Sequence, residues 1–182
     1  MYAIISELDH AAHLAIEKLT NEIMAGCNIN GPHMKWPYHL SWQGARSYAL
    51  DETENRARMI ARTFAPIETR IDGLGIFTGK EPVLYLTVTR TPLLSALNET
   101  VWEALHPLAE EVNPYFSPEE WVPHISILYG DEKSASAMSC AVEKLIPRQL
   151  RINIRIDHLS LGFFQGQDHG VVFRYPLTGG GT

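Results

Sequence analysis

Two short segments carry residue types suited to proton transfer at phosphorus. They are His39-Leu-Ser41, inside Tyr38-His-Leu-Ser-Trp-Gln43, and His124-Ile-Ser126, which follows Pro123. In an extended strand, residues i and i+2 share a face. Each histidine therefore points the same way as its serine. Leu40 with Trp42, and Ile125 with Ile127, point the other way and bury there. If the two strands meet, two imidazoles and two hydroxyls converge on one cleft. Phosphodiester cleavage at neutral pH needs such a set: a neutral imidazole to take a proton from water, and an imidazolium to give one to the leaving oxygen. Histidine serves both roles because its ordinary pKa is about 6.5. The hydroxyls donate to non-bridging oxygens, where charge builds in the transition state.

A lone His-x-Ser means little. With 8 His, 10 Ser and 11 Thr in 182 residues, chance supplies roughly one His-x-Ser/Thr match. The register is what selects this pair. His39 and His124 lie 85 residues apart, and the same offset of 85 relates Asp72 to Asp157. Those aspartates belong to similar segments, Ile71-Asp-Gly-Leu-Gly-Ile-Phe77 and Ile156-Asp-His-Leu-Ser-Leu-Gly-Phe-Phe164. Each precedes a glycine-containing turn and an apolar strand, Val83-Leu-Tyr-Leu86 or Val171-Val-Phe173. Two matching offsets predict two related lobes about a pseudo-twofold axis. A third motif, His158-Leu-Ser160, has Gly73 as its repeat counterpart and so lacks a partner histidine. It is expected to be structural or to line the edge of the site.

The elements that must position these residues alternate. Strands are expected at Tyr2–Leu8, Tyr38–Gln43, Ile71–Thr78, Val83–Thr89, Trp121–Tyr129, Leu150–Asp157, Leu159–Phe164 and Val171–Pro176. Asp9 caps a helix reaching about Ala25, with Ala12, Ile16, Leu19 and Ile23 as its apolar stripe. Asp51 with Glu54 predicts a capping box for a helix through Phe64. Thr91-Pro92 opens a third helix, whose face is Leu94, Leu97, Val101, Leu105 and Leu108, and Ser134–Ile146 is a fourth. Short, hairpin-linked strands among helices predict an α+β fold: two pseudo-twofold-related lobes, each an antiparallel sheet with helices outside, around a central cleft. The lobes form one interleaved domain over residues 1–178, and 179–182 read as a flexible tail.

At these residues the chain resembles the 2H phosphoesterase superfamily, which includes the so-called 2′-5′ RNA ligases and the cyclic nucleotide phosphodiesterases. The resemblance covers nearly the whole chain. It rests on the two His-x-Ser motifs, on Pro123-His-Ile-Ser-Ile-Leu-Tyr-Gly130, and on Gly73-Leu-Gly-Ile-Phe77 before Val83-Leu-Tyr-Leu86. It implies a two-lobed fold with a water-filled cleft and metal-independent cleavage of 2′,3′-cyclic or 2′-5′ phosphodiesters, with no cofactor. His39, Ser41, His124 and Ser126 take the four catalytic positions. Both hydroxyls are serine where threonine is common, and the basic residue often found after the second motif is absent from Ile127-Leu-Tyr-Gly-Asp131. That absence favours a small nucleotide substrate over an RNA end. Family members stack a base on aromatics around the cleft, and Tyr2, Phe77, Tyr129 and Phe164 are the candidates here. Alternation places Tyr129 opposite His124 unless its strand bends.

Composition narrows the classes. The formal charge of −6 argues against sequence-independent binding of long nucleic acids. No apolar run spans a bilayer, and the start resembles no signal peptide, so a cytoplasmic monomer is expected. Cys27 and Cys140 read as small, semi-buried thiols rather than a disulfide framework. The 26–37 loop, with His33, Lys35 and Trp36, is a lid or a plain connection. His10 and His13 read as a solvated helix face, and nothing aims Arg46, Arg90 or Arg151 at the cleft. Three rivals stand beside the small-nucleotide phosphodiesterase: a 2′-5′ RNA ligase or RNA-end phosphodiesterase, a non-catalytic nucleotide-binding module, and a metal-dependent hydrolase.

Overall fold

Two four-stranded antiparallel sheets, each edged by one of the His-x-Ser strands, make the frame of the molecule. The structure is a computed structural model describing residues 1–29, 37–131, 133–165 and 168–180. His33, Lys35 and Trp36 lie outside the described residues, as do the last two of the tail. The strands are β1 (Tyr2–Glu7), β2 (His39–Ala45), β3 (Ser47–Tyr48), β4 (Ile67–Phe77), β5 (Val83–Val88), β6 (Ala109–Glu110), β7 (His124–Tyr129), β8 (Ile152–Ile156), β9 (His158–Gln165) and β10 (Asp168–Pro176). The helices are α1 (His10–Gly26), α2 (Leu50–Thr63), α3 (Pro92–Leu105) and α4 (Ala135–Leu145). One sheet runs β10-β9-β1-β2 and the other β7-β5-β4-β8, with β3 and β6 as a small two-stranded pair.

Local chemistry accounts for most boundaries. The Asp9 carboxylate accepts from the Ala12 N–H at 3.0 Å, and Thr91 Oγ1 accepts from Leu94 N–H at 3.2 Å, so two helices start at side-chain caps. The capping box expected at Asp51 does not form. α2 starts at Leu50 with Ala49 as its N-cap, Asp51 sits in the first turn where its charge suits the helix dipole, and Glu54 turns to Arg58 and Tyr175. β7 begins at His124 rather than at Trp121. Pro123 has no N–H for the ladder, but its carbonyl accepts from Val88 N–H at 3.0 Å. β4 begins earlier than the sequence suggests, because Ile67 to Ile71 pair with β8 before Gly73 to Phe77 pair with β5.

The inward faces of the strands and the stripes of the helices make one core. Ile4, Leu40, Trp42, Leu84, Leu86, Ile125, Ile127, Leu159 and Leu161 are buried in it, with Ile16 of α1 and Leu94, Leu97, Val101 and Leu105 of α3. The opposite faces of both sheets carry the histidines.

The repeat holds in the strand register and differs in its hairpins. Gly73 and His158 occupy equivalent places: Gly73 neighbours Thr87, which pairs with His124, and β9 lies beside β1, whose Glu7 pairs with His39. The hairpin partners are not equivalent. β5, after β4, is an inner strand next to β7, whereas β10, after β9, is an outer edge. The inner counterpart of β5 is β1, from the start of the chain.

Cys27 and Cys140, expected as separate thiols, form a disulfide with Cα atoms 5.8 Å apart. Cys27 caps the C-terminus of α1, which packs on α4, where Cys140 resides. Two cysteines 113 residues apart carry no sequence signal of pairing; the packing of these helices brings them together. Closing a loop of that length restricts the unfolded chain, worth about 2–4 kcal/mol. Cys140→Ser is therefore expected to lower Tm measured by calorimetry. Reductant should lower the wild type similarly and leave the variant unmoved.

Candidate active site

The faces that carry the His-x-Ser residues are set by what lies beneath them. In β2, Leu40 and Trp42 are buried while His39 and Ser41 are half-buried on the other face. In β7, Ile125 and Ile127 are buried while His124 and Ser126 are half-buried. Under both strands Trp42 and Trp121 stack, with ring centroids 5.2 Å apart. The Trp121 indole N–H donates to the Ser41 carbonyl at 3.0 Å, so the segment entering β7 is bonded to β2. Arg90 fixes that segment from outside, donating to the carbonyls of Trp121 at 2.9 Å and Pro118 at 2.7 Å. Arg90 is thus structural, and Arg46 is paired with Glu110 and Glu111.

Both strands bulge at the same place. Ile5 pairs with Ser41 and Ile4 with Gln43, skipping Trp42; Tyr85 pairs with Ser126 and Leu84 with Leu128, skipping Ile127. The skipped residues stand directly after the serine of each motif and keep the offset of the repeat. A bulge re-aims the side chains beyond it. In β7 the slip places Tyr129 across from Val83, itself paired with Phe77. Tyr129 thus joins the cleft side, at its mouth, 58% exposed.

The imidazoles are held alike. His39 Nδ1 lies 2.9 Å from the Pro37 carbonyl and His124 Nδ1 2.7 Å from the Val122 carbonyl, each two residues upstream. A carbonyl only accepts, so each Nδ1 carries a hydrogen and each Nε2 is left for substrate. Burial pushes both pKa values down, opposed by these backbone bonds; for His39 the Glu7 charge also opposes the fall, and His124 adds to it. The strands that carry them, β2 and β7, lie against each other, and a charge on His124 lowers the His39 pKa further.

Their walls differ. Phe77 meets His124 edge-on at 4.8 Å between ring centroids, Tyr85 lies 5.1 Å from it, and Phe77 stacks on Tyr85 at 4.3 Å. Gly75 makes room for Tyr85, since a Cβ there would come within 2.5 Å of the ring. Phe164 packs with Ala3 and Ile5 on the cleft face of the first sheet. Tyr2 does not reach the cleft; it pairs with Phe163 and packs against the main core. Tyr85 is not among the aromatics that the sequence points to, although its place between Leu84 and Leu86 puts it on the face opposite theirs. His13 rests against Tyr38 at 5.2 Å. Among the described residues no three His, Cys, Asp or Glu side chains are gathered to hold a metal ion, and no helix is long and apolar enough to cross a membrane.

Comparison with known proteins agrees with this architecture. The family profile of the 2′-5′ RNA ligase superfamily matches residues 8–168. No curated protein matches the chain. Among solved structures, TT0787 of Thermus thermophilus is 17% identical, covers 98% of each chain and superposes with a TM-score of 0.65. LigT of E. coli complexed with 3′-AMP is 14% identical, with a TM-score of 0.65 over 97% of this chain and 96% of that one. Usb1 of Kluyveromyces marxianus is 14% identical, with a TM-score of 0.55 over 97% of each chain. The family match spans both His-x-Ser strands and every strand of the two sheets but β1 and β10, and it leaves one conclusion: the chain belongs to the 2′-5′ RNA ligase superfamily of 2H phosphoesterases.

Proposed function

We propose that this protein is a metal-independent phosphodiesterase that hydrolyses a 2′,3′-cyclic or 2′-5′ phosphodiester of a small nucleotide. The observation that carries the reading is the matched pair of imidazoles, each with Nδ1 tied to the carbonyl two residues upstream and Nε2 left for chemistry. One Nε2 takes a proton from water as its oxygen bonds to phosphorus. The other gives its proton to the ribose oxygen as the P–O bond breaks. Ser41 and Ser126 donate to the non-bridging oxygens. Phe77 and Tyr85 beside His124, with Tyr129 at the mouth and Phe164 on the opposite wall, offer ring faces for a base. Nucleotides bound to a protein of similar fold support this reading, since LigT has been crystallised with 3′-AMP, NADP+ and ATP. One chain supplies both histidines, so the site is complete in a monomer.

The expected location is cytoplasmic. The Cys27–Cys140 disulfide pulls the other way, because cytoplasmic thiols are kept reduced. Thiol counting on acid-quenched cells decides between them.

Three outcomes are expected with nucleoside 2′,3′-cyclic phosphates. His39→Ala and His124→Ala each lower kcat by about 10²–10⁴-fold, and Ser41→Ala or Ser126→Ala by about 10²–10³-fold. EDTA leaves the rate unchanged; a loss would favour the metal-dependent alternative. The base acts deprotonated, so kcat/KM rises with pH through its pKa. The acid acts protonated, so kcat/KM falls as pH rises through its own. Because burial lowers both histidines, the bell centres below the ordinary histidine value of about 6.5.

A further inference from the structure

The third His-x-Ser motif lies in a row of charge that crosses the first sheet on the cleft face. Glu7 of β1 pairs with His39 of β2 and lies beside β9, which carries His158 and Ser160; Arg174 of β10 pairs with Ser160. The Glu7 side chain is only 7% exposed. One of its oxygens accepts from His158 Nε2 at 2.5 Å and Ser160 Oγ at 3.0 Å, and the other accepts from Arg174 Nη2. His158 Nδ1 lies 2.6 Å from the Asp157 carboxylate. Nε2 also faces the Glu7 backbone N–H, at 3.2 Å; burial disfavours the charged ring, but the Glu7 and Asp157 carboxylates outweigh it and raise the His158 pKa. Burial raises the Glu7 pKa, but His158 and Arg174 outweigh it and hold the carboxyl down at about 2. A permanent anion therefore stands one strand from His39.

Among the described residues the other lobe has no equivalent of this row. Where Glu7 stands beside His39, Thr87 stands beside His124; in place of His158 and Ser160 there are Gly73 and Gly75. Asp72 reaches Thr87 at 3.4 Å and Thr89 at 2.6 Å, with Arg70 3.7 Å away. Burial lowers both histidines and an upstream carbonyl opposes it in each, but the Glu7 carboxylate adds its opposition at His39 alone. In the two-histidine reading one ring carries a proton while the other does not, and a carboxylate favours the proton on the ring beside it more than ring faces do.

We infer that Glu7, held ionised by His158 and Arg174, is a positioning residue that keeps that proton on His39, making His39 the general acid and His124 the general base. The inference rests on the two-histidine reading above and assigns the roles within it.

The roles separate by leaving group. A 4-nitrophenyl ester of a nucleoside 3′-phosphate releases a phenolate that departs without a proton, unlike the ribose oxygen of a 2′,3′-cyclic nucleotide. His39→Ala should lose about 10²-fold or more on the cyclic substrate yet stay within about 10-fold of wild type on the ester. His124→Ala should lose both. The reverse pattern, or equal response of the two variants, overturns the assignment while leaving the phosphodiesterase reading standing. Wild-type protein that cleaves neither substrate overturns both.

The role of Glu7 is read from opposite signs. Glu7→Gln removes the anion, so the alkaline limb of kcat/KM and the His39 ring titration by NMR should move to lower pH by up to about one unit. Arg174→Gln, at a side chain 54% exposed, removes a cation that offsets Glu7 and should move both to higher pH. Loss of packing alone would not move the two variants in opposite directions. Limbs that stay put, or shift together, overturn the inference.

Discussion

The molecule depends on one contact, the stack of Trp42 on Trp121. It joins the inner edges of two sheets that share no ladder, and the Trp121 indole closes onto the backbone at Ser41. A stacked, hydrogen-bonded indole pair fixes both separation and angle, as an aliphatic pair would not. Histidines on separate strands flank one phosphate only if those strands keep a set relation, and the tryptophans set it from the buried side. Function on one face is held by packing on the other.

Symmetry and its breaking divide the work. What is duplicated is what the proposed chemistry uses: the His-x-Ser strand, the bulge after its serine and the carbonyl that holds Nδ1. What is not duplicated is what surrounds it. One lobe places Phe77 and Tyr85 against its histidine, the other a buried carboxylate bound to His158 and Arg174. Burying such a group unpaired would be costly, and here every partner lies within hydrogen-bonding reach. A duplicated scaffold has thus acquired two chemically unlike halves without losing its geometry.

Much of the site was legible because it is written in local periodicity. Alternation around His39 and His124 placed both motifs on one face, and the offset of 85 paired them. The Asp9 and Thr91 caps were legible for the same reason, since a cap depends on residues three apart. What was not legible depends on pairing between distant segments. Tyr85 reaches His124 only through the β5–β7 register, Glu7 meets His158 only because β9 returns to β1, and Cys27 meets Cys140 only because α1 lies on α4. The capping box at Asp51 did not form because the helix starts a residue earlier, at Leu50 with Ala49 as its N-cap, which puts Asp51 inside the first turn. The bulge after Ser126 also lies outside simple alternation, and it alone turns Tyr129 to the cleft.

The exchange of hairpins between the halves bears on how the chain is made. The strand that carries Glu7 precedes its partners in the chain, and Ile5 finds its second neighbour only at Ser160. The first sheet therefore stays one-sided until β9 has been made, with Ala3 and Ile5 lacking the cover of Phe164. Such non-local closure slows folding. It also means that a fragment cut between β4 and β5 holds neither sheet in full, so the ancestral duplication cannot be recovered by simply splitting the chain.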